Sequence, residues 1–142
     1  MNTLRKLTYH LYNVRKLILA RNHFKTYPPI FIIGSPRSGT SLLFHILSNW
    51  QEYSLAWEPY KNWRKVFGLG KDDSYKKEFN IIGKYKLLLK YFSYIDENAP
   101  LLLSKDPKDS LRVGTLNKIF PNAKFIHIIR DGRDVIASMK KT

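Results

Sequence analysis

The segment Gly34-Ser35-Pro36-Arg37-Ser38-Gly39-Thr40-Ser41 joins small residues, hydroxyls and a guanidinium in one short stretch, a set suited to holding an anion. Ahead of it runs the apolar Ile30-Phe31-Ile32-Ile33; behind it Leu42, Leu43, Ile46, Leu47 and Trp50 recur at helical spacing. The order is strand, loop, helix. The first N–H groups of a helix lack intrahelical partners and the helix dipole places partial positive charge there, so such a loop can cradle phosphate. Gly34 and Gly39 have the spacing of a Walker A loop, with Ser41 at its Ser/Thr position. However, Thr40 stands where the lysine would be and Arg37 lies within the loop. Losing the lysine argues against a metal-bound triphosphate, whereas an arginine fork still suits a tetrahedral anion.

A second constellation follows the same pattern. Lys124-Phe125-Ile126-His127-Ile128-Ile129 reads as a strand, and the turn at Arg130-Asp131-Gly132 leads into a helix through Ser138. Arg130 stands at the carboxyl end of its strand, where open α/β sheets place ligands, and Ser138 lies one to two turns into the helix. Both can reach one anion. Two anion sites, one per strand end, match a nucleotide with separate 5′ and 3′ groups.

Pro36-Arg37-Ser38-Gly39-Thr40-Ser41 resembles the 5′-phosphosulfate-binding loop of sulfotransferases, which use 3′-phosphoadenosine 5′-phosphosulfate (PAPS). The bacterial and tyrosylprotein type is the nearer match, rather than the cytosolic steroid and phenol type. The arginine–serine pair Arg130 and Ser138 resembles the family's 3′-phosphate motif. The resemblance covers residues 28–142 and implies transfer of a sulfonate from PAPS to a hydroxyl or amine, with no metal. It assigns cofactor binding to Arg37, Ser38, Gly39, Thr40, Ser41, Arg130 and Ser138. It assigns catalysis to Arg37, Glu58 and Lys105. Glu58, in Trp57-Glu58-Pro59, matches a glutamate that serves as general base in tyrosylprotein-type enzymes. The competing reading is a surface glutamate at a strand end, or one fixing local basic residues; catalysis is preferred. Lys105, in Ser104-Lys105-Asp106-Pro107, matches a Lys-Asp-Pro element whose lysine reaches the bridging oxygen and the sulfonate.

Neighbouring polar residues receive structural readings. Asp106 orients neighbours or caps a turn. Asp131 and Asp134 have the spacing of helix-start residues, and Arg133 either pairs with them or extends the phosphate site. His10, His23, His45 and His127 read as structural or solvated, none matching the catalytic histidine of cytosolic sulfotransferases. Two other functions compete: a P-loop nucleotide kinase or NTPase, opposed by the missing lysine, and a nucleotide-binding fragment without turnover. The acceptor is not legible; carbohydrate, protein, lipid and small-molecule hydroxyls all fit.

The 142 residues suffice for one domain with a core. The resemblance implies a longer catalytic domain with a later basic loop at the adenosine end, so the chain reads as truncated at its C-terminus. The formal charge of +14 suits a polyanionic donor, and no Lys/Arg run is long enough to be a nucleic-acid arm. The absence of cysteine removes disulfides and thiolate chemistry and fits a reducing, cytoplasmic setting.

The elements that position these residues follow from periodicity. Residues 1–27 predict a basic helical leader in which Leu4, Leu7, Leu11, Val14 and Ile18 form a stripe; packing on the domain is the preferred reading, peripheral membrane contact the sharper one. Pro28-Pro29 ends the helix. A strand at Tyr53–Trp57, a loop over 61–74, a helix over 75–95 interrupted at Gly83 and a strand at Leu101–Ser104 follow. Asp109 or Ser110 then caps a helix carrying Leu111, Leu116, Ile119 and Phe120. Alternating strands and helices predict an α/β, P-loop-type three-layer sandwich on a parallel sheet. The apolar runs at Ile30–Ile33, Leu101–Leu103 and Phe125–Ile129 predict strands covered on both faces.

Overall fold

A computed structural model describes residues 3–59, 63 and 81–140, with side chains from Leu11 onward. Helix α1 (Thr3–Thr26) stops before Pro28-Pro29 and leads into β1 (Ile30–Gly34), followed by α2 (Thr40–Leu47) and β2 (Tyr53–Trp57). Then come α3 (Ile81–Phe92), β3 (Leu101–Lys105), a 3-10 turn (Pro107–Leu111), α4 (Val113–Ile119), β4 (Lys124–Ile128) and α5 (Gly132–Lys140). The four strands are all parallel, in the spatial order β2-β3-β1-β4. This is the expected α/β architecture.

Successive side chains of a strand point to opposite faces, and two separate cores result. On one face Phe31 and Ile33 of β1, Ala56 of β2 and Leu102 of β3 pack with α1, α3 and α4. On the other, Ile32 and Leu103 pack beneath Phe44 of α2. The sheet is therefore the middle of three layers. Aromatic rings fill much of the larger core: Phe31 stacks on Phe125 and meets Tyr91 edge-on, with centroids 5.6 and 5.7 Å apart.

Several sequence expectations are corrected. β1 and β3 are buried along almost their whole length, but β4 is not: Lys124, Ile126 and His127 are exposed. β4 lies at the sheet edge and pairs only with β1 among the described residues, so its apolar run is half covered. Gly83 does not interrupt a helix; it is buried inside α3. Neither Asp109 nor Ser110 caps a helix. Asp106 caps the 3-10 turn by accepting from the Lys108 N–H at 3.0 Å, and α4 starts later, leaving Leu111 exposed. The leader helix packs on the domain through Leu17, Ala20 and Phe24, while Leu11, Val14 and Ile18 of the expected stripe face outward. The expected loop over 61–74 and the start of the 75–95 helix fall outside the described residues, apart from the buried Trp63.

Candidate functional site

The strand order sets the location. From β1 the chain passes through α2 to one side of the sheet, and from β3 it returns through α4 to β4 on the other side of β1. The two connecting helices lie on opposite faces. In open α/β sheets such diverging connections make the carboxyl end of the strand between them, here β1, the usual ligand position. The loop 34–41 occupies that end.

The loop's backbone explains its small residues. A Cβ on Gly34 would lie 2.7 Å from the Ile128 carbonyl oxygen and 2.9 Å from Ser38 Oγ, so no side chain fits. Gly39, at φ 101°, is in a conformation that glycine adopts without penalty, and Arg37 holds a left-handed φ of 67°. Ser38 Oγ donates to the Ser35 carbonyl, and both Ser38 and Thr40 are buried. The Leu43 N–H makes the first bond of α2, to the Gly39 carbonyl, which leaves the amides of Thr40, Ser41 and Leu42 ahead of the helical ladder. Those amides are donors of the kind that a helix start offers to an anion.

The start of α5 meets this loop. Arg130 Nη1 donates to the Arg37 carbonyl at 3.2 Å, and Arg37 Nε donates to Ser138 Oγ at 3.1 Å. Arg37, Arg130 and Ser138, read in the sequence as parts of two separate anion sites, thus form one contiguous exposed cluster. Asp134 lies 3.7 Å from Arg130 Nε, and Arg133 pairs with Asp131 at 2.6 Å, so Arg133 turns toward the helix start. The hydrogen bonds from Arg133 hold the Asp131 carboxyl below its ordinary range.

Glu58 and Lys105 come together at the ends of adjacent strands β2 and β3. Lys105 Nζ lies 2.5 Å from Glu58 Oε1 and sits 4.3 Å from the centre of the Trp57 ring. The Glu58 N–H donates to the Lys105 carbonyl at 2.7 Å, and Glu58 has a left-handed φ of 41°. Lys105 is 2% exposed, whereas the Glu58 side chain is 38% exposed. A desolvated ammonium requires a partner, and the carboxylate and indole face supply one while leaving the carboxylate open to an incoming molecule.

The sequence profile of the sulfotransferase family matches residues 28–142. The chain belongs to the sulfotransferase family. It is 30% identical to human protein-tyrosine sulfotransferase 1 over 130 residues, which cover 82% of this chain and 35% of the human protein. Protein-tyrosine sulfotransferase A of Caenorhabditis elegans is 28% identical, covering 81% and 33% of the two chains. The Drosophila melanogaster protein-tyrosine sulfotransferase is 30% identical, covering 79% and 25%. The chain spans less than half the length of these relatives.

Behind the catalytic candidates of this sulfotransferase-family chain lies a charged cluster that sequence reasoning missed. Arg112, 1% exposed, is 3.6 Å from Asp109 and 4.0 Å from Asp106, with its guanidinium over the Trp63 ring. Burial pushes the carboxyls of Asp106 and Asp109 up, well up for Asp109. Sequence reading also missed that Ser110 reaches across to the loop. Its Oγ accepts from the Gly34 N–H at 2.9 Å and lies 3.2 Å from the Gly34 carbonyl. The one available signal was the run of capping residue types after Lys105. Two histidines have other settings: His23 bonds the Pro100 carbonyl and His127 is exposed on the edge strand β4, while His10 lies outside the described side chains. His45 rests against the ring of Trp57 at 5.0 Å. Among the described residues no group of His, Cys, Asp and Glu is arranged to hold a metal.

Proposed function

We propose that the protein transfers a sulfonate group from PAPS to a hydroxyl or amine acceptor. The observation that carries this reading is the Glu58–Lys105 pair, set on neighbouring strand ends beside an anion-binding loop. The loop fits the phosphosulfate end: Gly34 excludes any side chain, the amides opening α2 supply donors, and Ser41 adds a hydroxyl. Arg37, Arg130 and Ser138 provide two guanidiniums and a hydroxyl for the phosphates. PAPS held there would supply the sulfonate.

The chain's own groups divide the remaining work. Glu58, the more exposed partner, holds the proton that leaves the acceptor at a carboxylate oxygen. Lys105 Nζ, fixed by Trp57, offers N–H donors to negative charge developing on the donor side, and Arg37 adds a second cation near the loop. Because Lys105 is already desolvated, its charge acts in a low-dielectric setting without prior loss of water. The relatives named for protein tyrosine make a tyrosine hydroxyl the first acceptor to try.

Calorimetry with 3′,5′-ADP, 5′-AMP and ATP, with and without chelator, tests the assignment. The expected result is metal-independent preference for 3′,5′-ADP, lost in Arg130→Ala and Ser138→Ala. Each substitution removes a bond to a charged group, so the preference falls by about 1.5–3 kcal/mol. Magnesium-dependent binding with ATP preferred overturns the reading.

A further inference from the structure

The outward face of α1 is apolar and basic at once. Leu11, Val14 and Ile18 follow one another at spacings of three and four and are 63%, 55% and 55% exposed. Tyr12 and Leu19 are exposed as well, at 61% and 51%, but lie about a quarter turn or more further round the helix. Burying such residues is worth about 1.5–3 kcal/mol each, so a stripe of them in water marks a contact surface. The same spacing continues to Arg21 and Lys25, which leads the stripe into a cleft of about 470 Å³. Lys84 of α3 contributes a third cation there, against walls that include Phe24, Tyr85 and Phe120. None of the three cations has an acidic partner among the described residues. No Asp or Glu occurs anywhere in the chain before Glu52.

Charge decides the occupant. A second copy of α1 would place Arg15, Arg21 and Lys25 against the same residues with no carboxylate to pair, so self-association through the stripe is opposed. An anionic bilayer matches both features, since it takes apolar side chains below its headgroups and cations at their level. None of the described helices is long and apolar enough to cross the membrane.

We propose that the outward stripe of α1 and the adjoining Arg21–Lys25–Lys84 cleft seat the protein on an anionic phospholipid surface. The cleft takes a phosphate-bearing headgroup, and Leu11, Val14 and Ile18 enter the acyl boundary. α1 runs into β1, and the cleft residues Pro121 and Asn122 immediately precede β4, so the cleft lies toward the amino edge of the sheet. The catalytic candidates lie at the carboxyl edge. A membrane-seated molecule therefore keeps that edge facing away from the lipid.

The test is co-sedimentation of the full chain with vesicles of phosphatidylcholine alone and of phosphatidylcholine mixed with phosphatidylserine. Binding is expected only to the mixed vesicles, weakening with salt. Arg21→Gln, Lys25→Gln and Lys84→Gln should each lower partitioning about fivefold, and Val14→Ser with Ile18→Ser about tenfold or more. All five positions lie outside the buried core, and circular dichroism checks that the fold persists. Equal binding to neutral vesicles overturns the proposal. So does failure to bind either vesicle, or equal competition by soluble polyglutamate, which would mark the face as a protein contact. The readout is lipid partitioning, so it stands or falls apart from the proposed sulfonate transfer.

Discussion

Glu58 and Lys105 form a structural pair, to which the proposed reaction adds a chemical role. Their contact satisfies a lysine that is 2% exposed, so truncating either side chain disturbs the other residue. Glu58→Gln keeps the side chain's size and its carbonyl acceptor while removing the proton-accepting carboxylate. The expected outcome is donor affinity near wild type with turnover lowered about 10²–10⁴-fold, the usual range for a general base. Steady-state kinetics alongside donor titration separates the two effects, and wild-type turnover would return Glu58 to a purely structural role. Next to Glu58, His45 against Trp57 is then the first histidine to test.

At the level of elements, the 3-10 turn after β3 joins the buried charge cluster to the anion loop through Ser110. Ser110→Ala removes the hydroxyl that accepts from the Gly34 N–H, leaving a partly buried donor unsatisfied. A stability loss of about 1–3 kcal/mol is expected in urea unfolding, together with weaker donor binding because Gly34 ends β1 and opens the loop. The same turn carries Asp109, whose carboxyl burial holds well above its ordinary value. Between the unfolded and folded pKa values the native state binds more protons, so this group's contribution to stability falls as pH rises from about 4 upward. Asp106 acts in the same direction, also through burial. Asp109→Asn should flatten that part of the pH dependence, measured as urea midpoints across the acid-to-neutral range. An unchanged slope would assign it to other groups.

For the molecule as a whole, the sheet is protected unequally. β1 and β3 have strands on both sides and helices over both faces, whereas β4 is at an edge and half exposed. Local opening costs less where few apolar contacts must be broken. Native-state hydrogen exchange should therefore show the slowest amides in β1 and β3 and faster exchange in β4. Uniform protection would indicate that β4 has a further covering partner in solution. The relation matters for the site, because Arg130 lies two residues beyond the end of β4.

Much of this was legible in the chain itself. The apolar run ending at Gly34, the breaker Pro28-Pro29 and the helical spacing after Thr40 are local signals, set by backbone conformation and side-chain period, and they specify strand, loop and helix without reference to the rest. The order of strands and helices likewise pointed to a parallel three-layer sandwich. What the sequence could not decide were facts of juxtaposition. Glu58 and Lys105 are separated along the chain, and only pairing of β2 with β3 brings their side chains together. Arg37 reaches Ser138 only because β4 adds beside β1. The leader's stripe read as a packing face, yet the core takes Leu17, Ala20 and Phe24 instead, because periodicity identifies an apolar face but not the surface it meets. β4 reads as apolar as β1, and its exposure depends on its place in the sheet, which no property of its own five residues encodes.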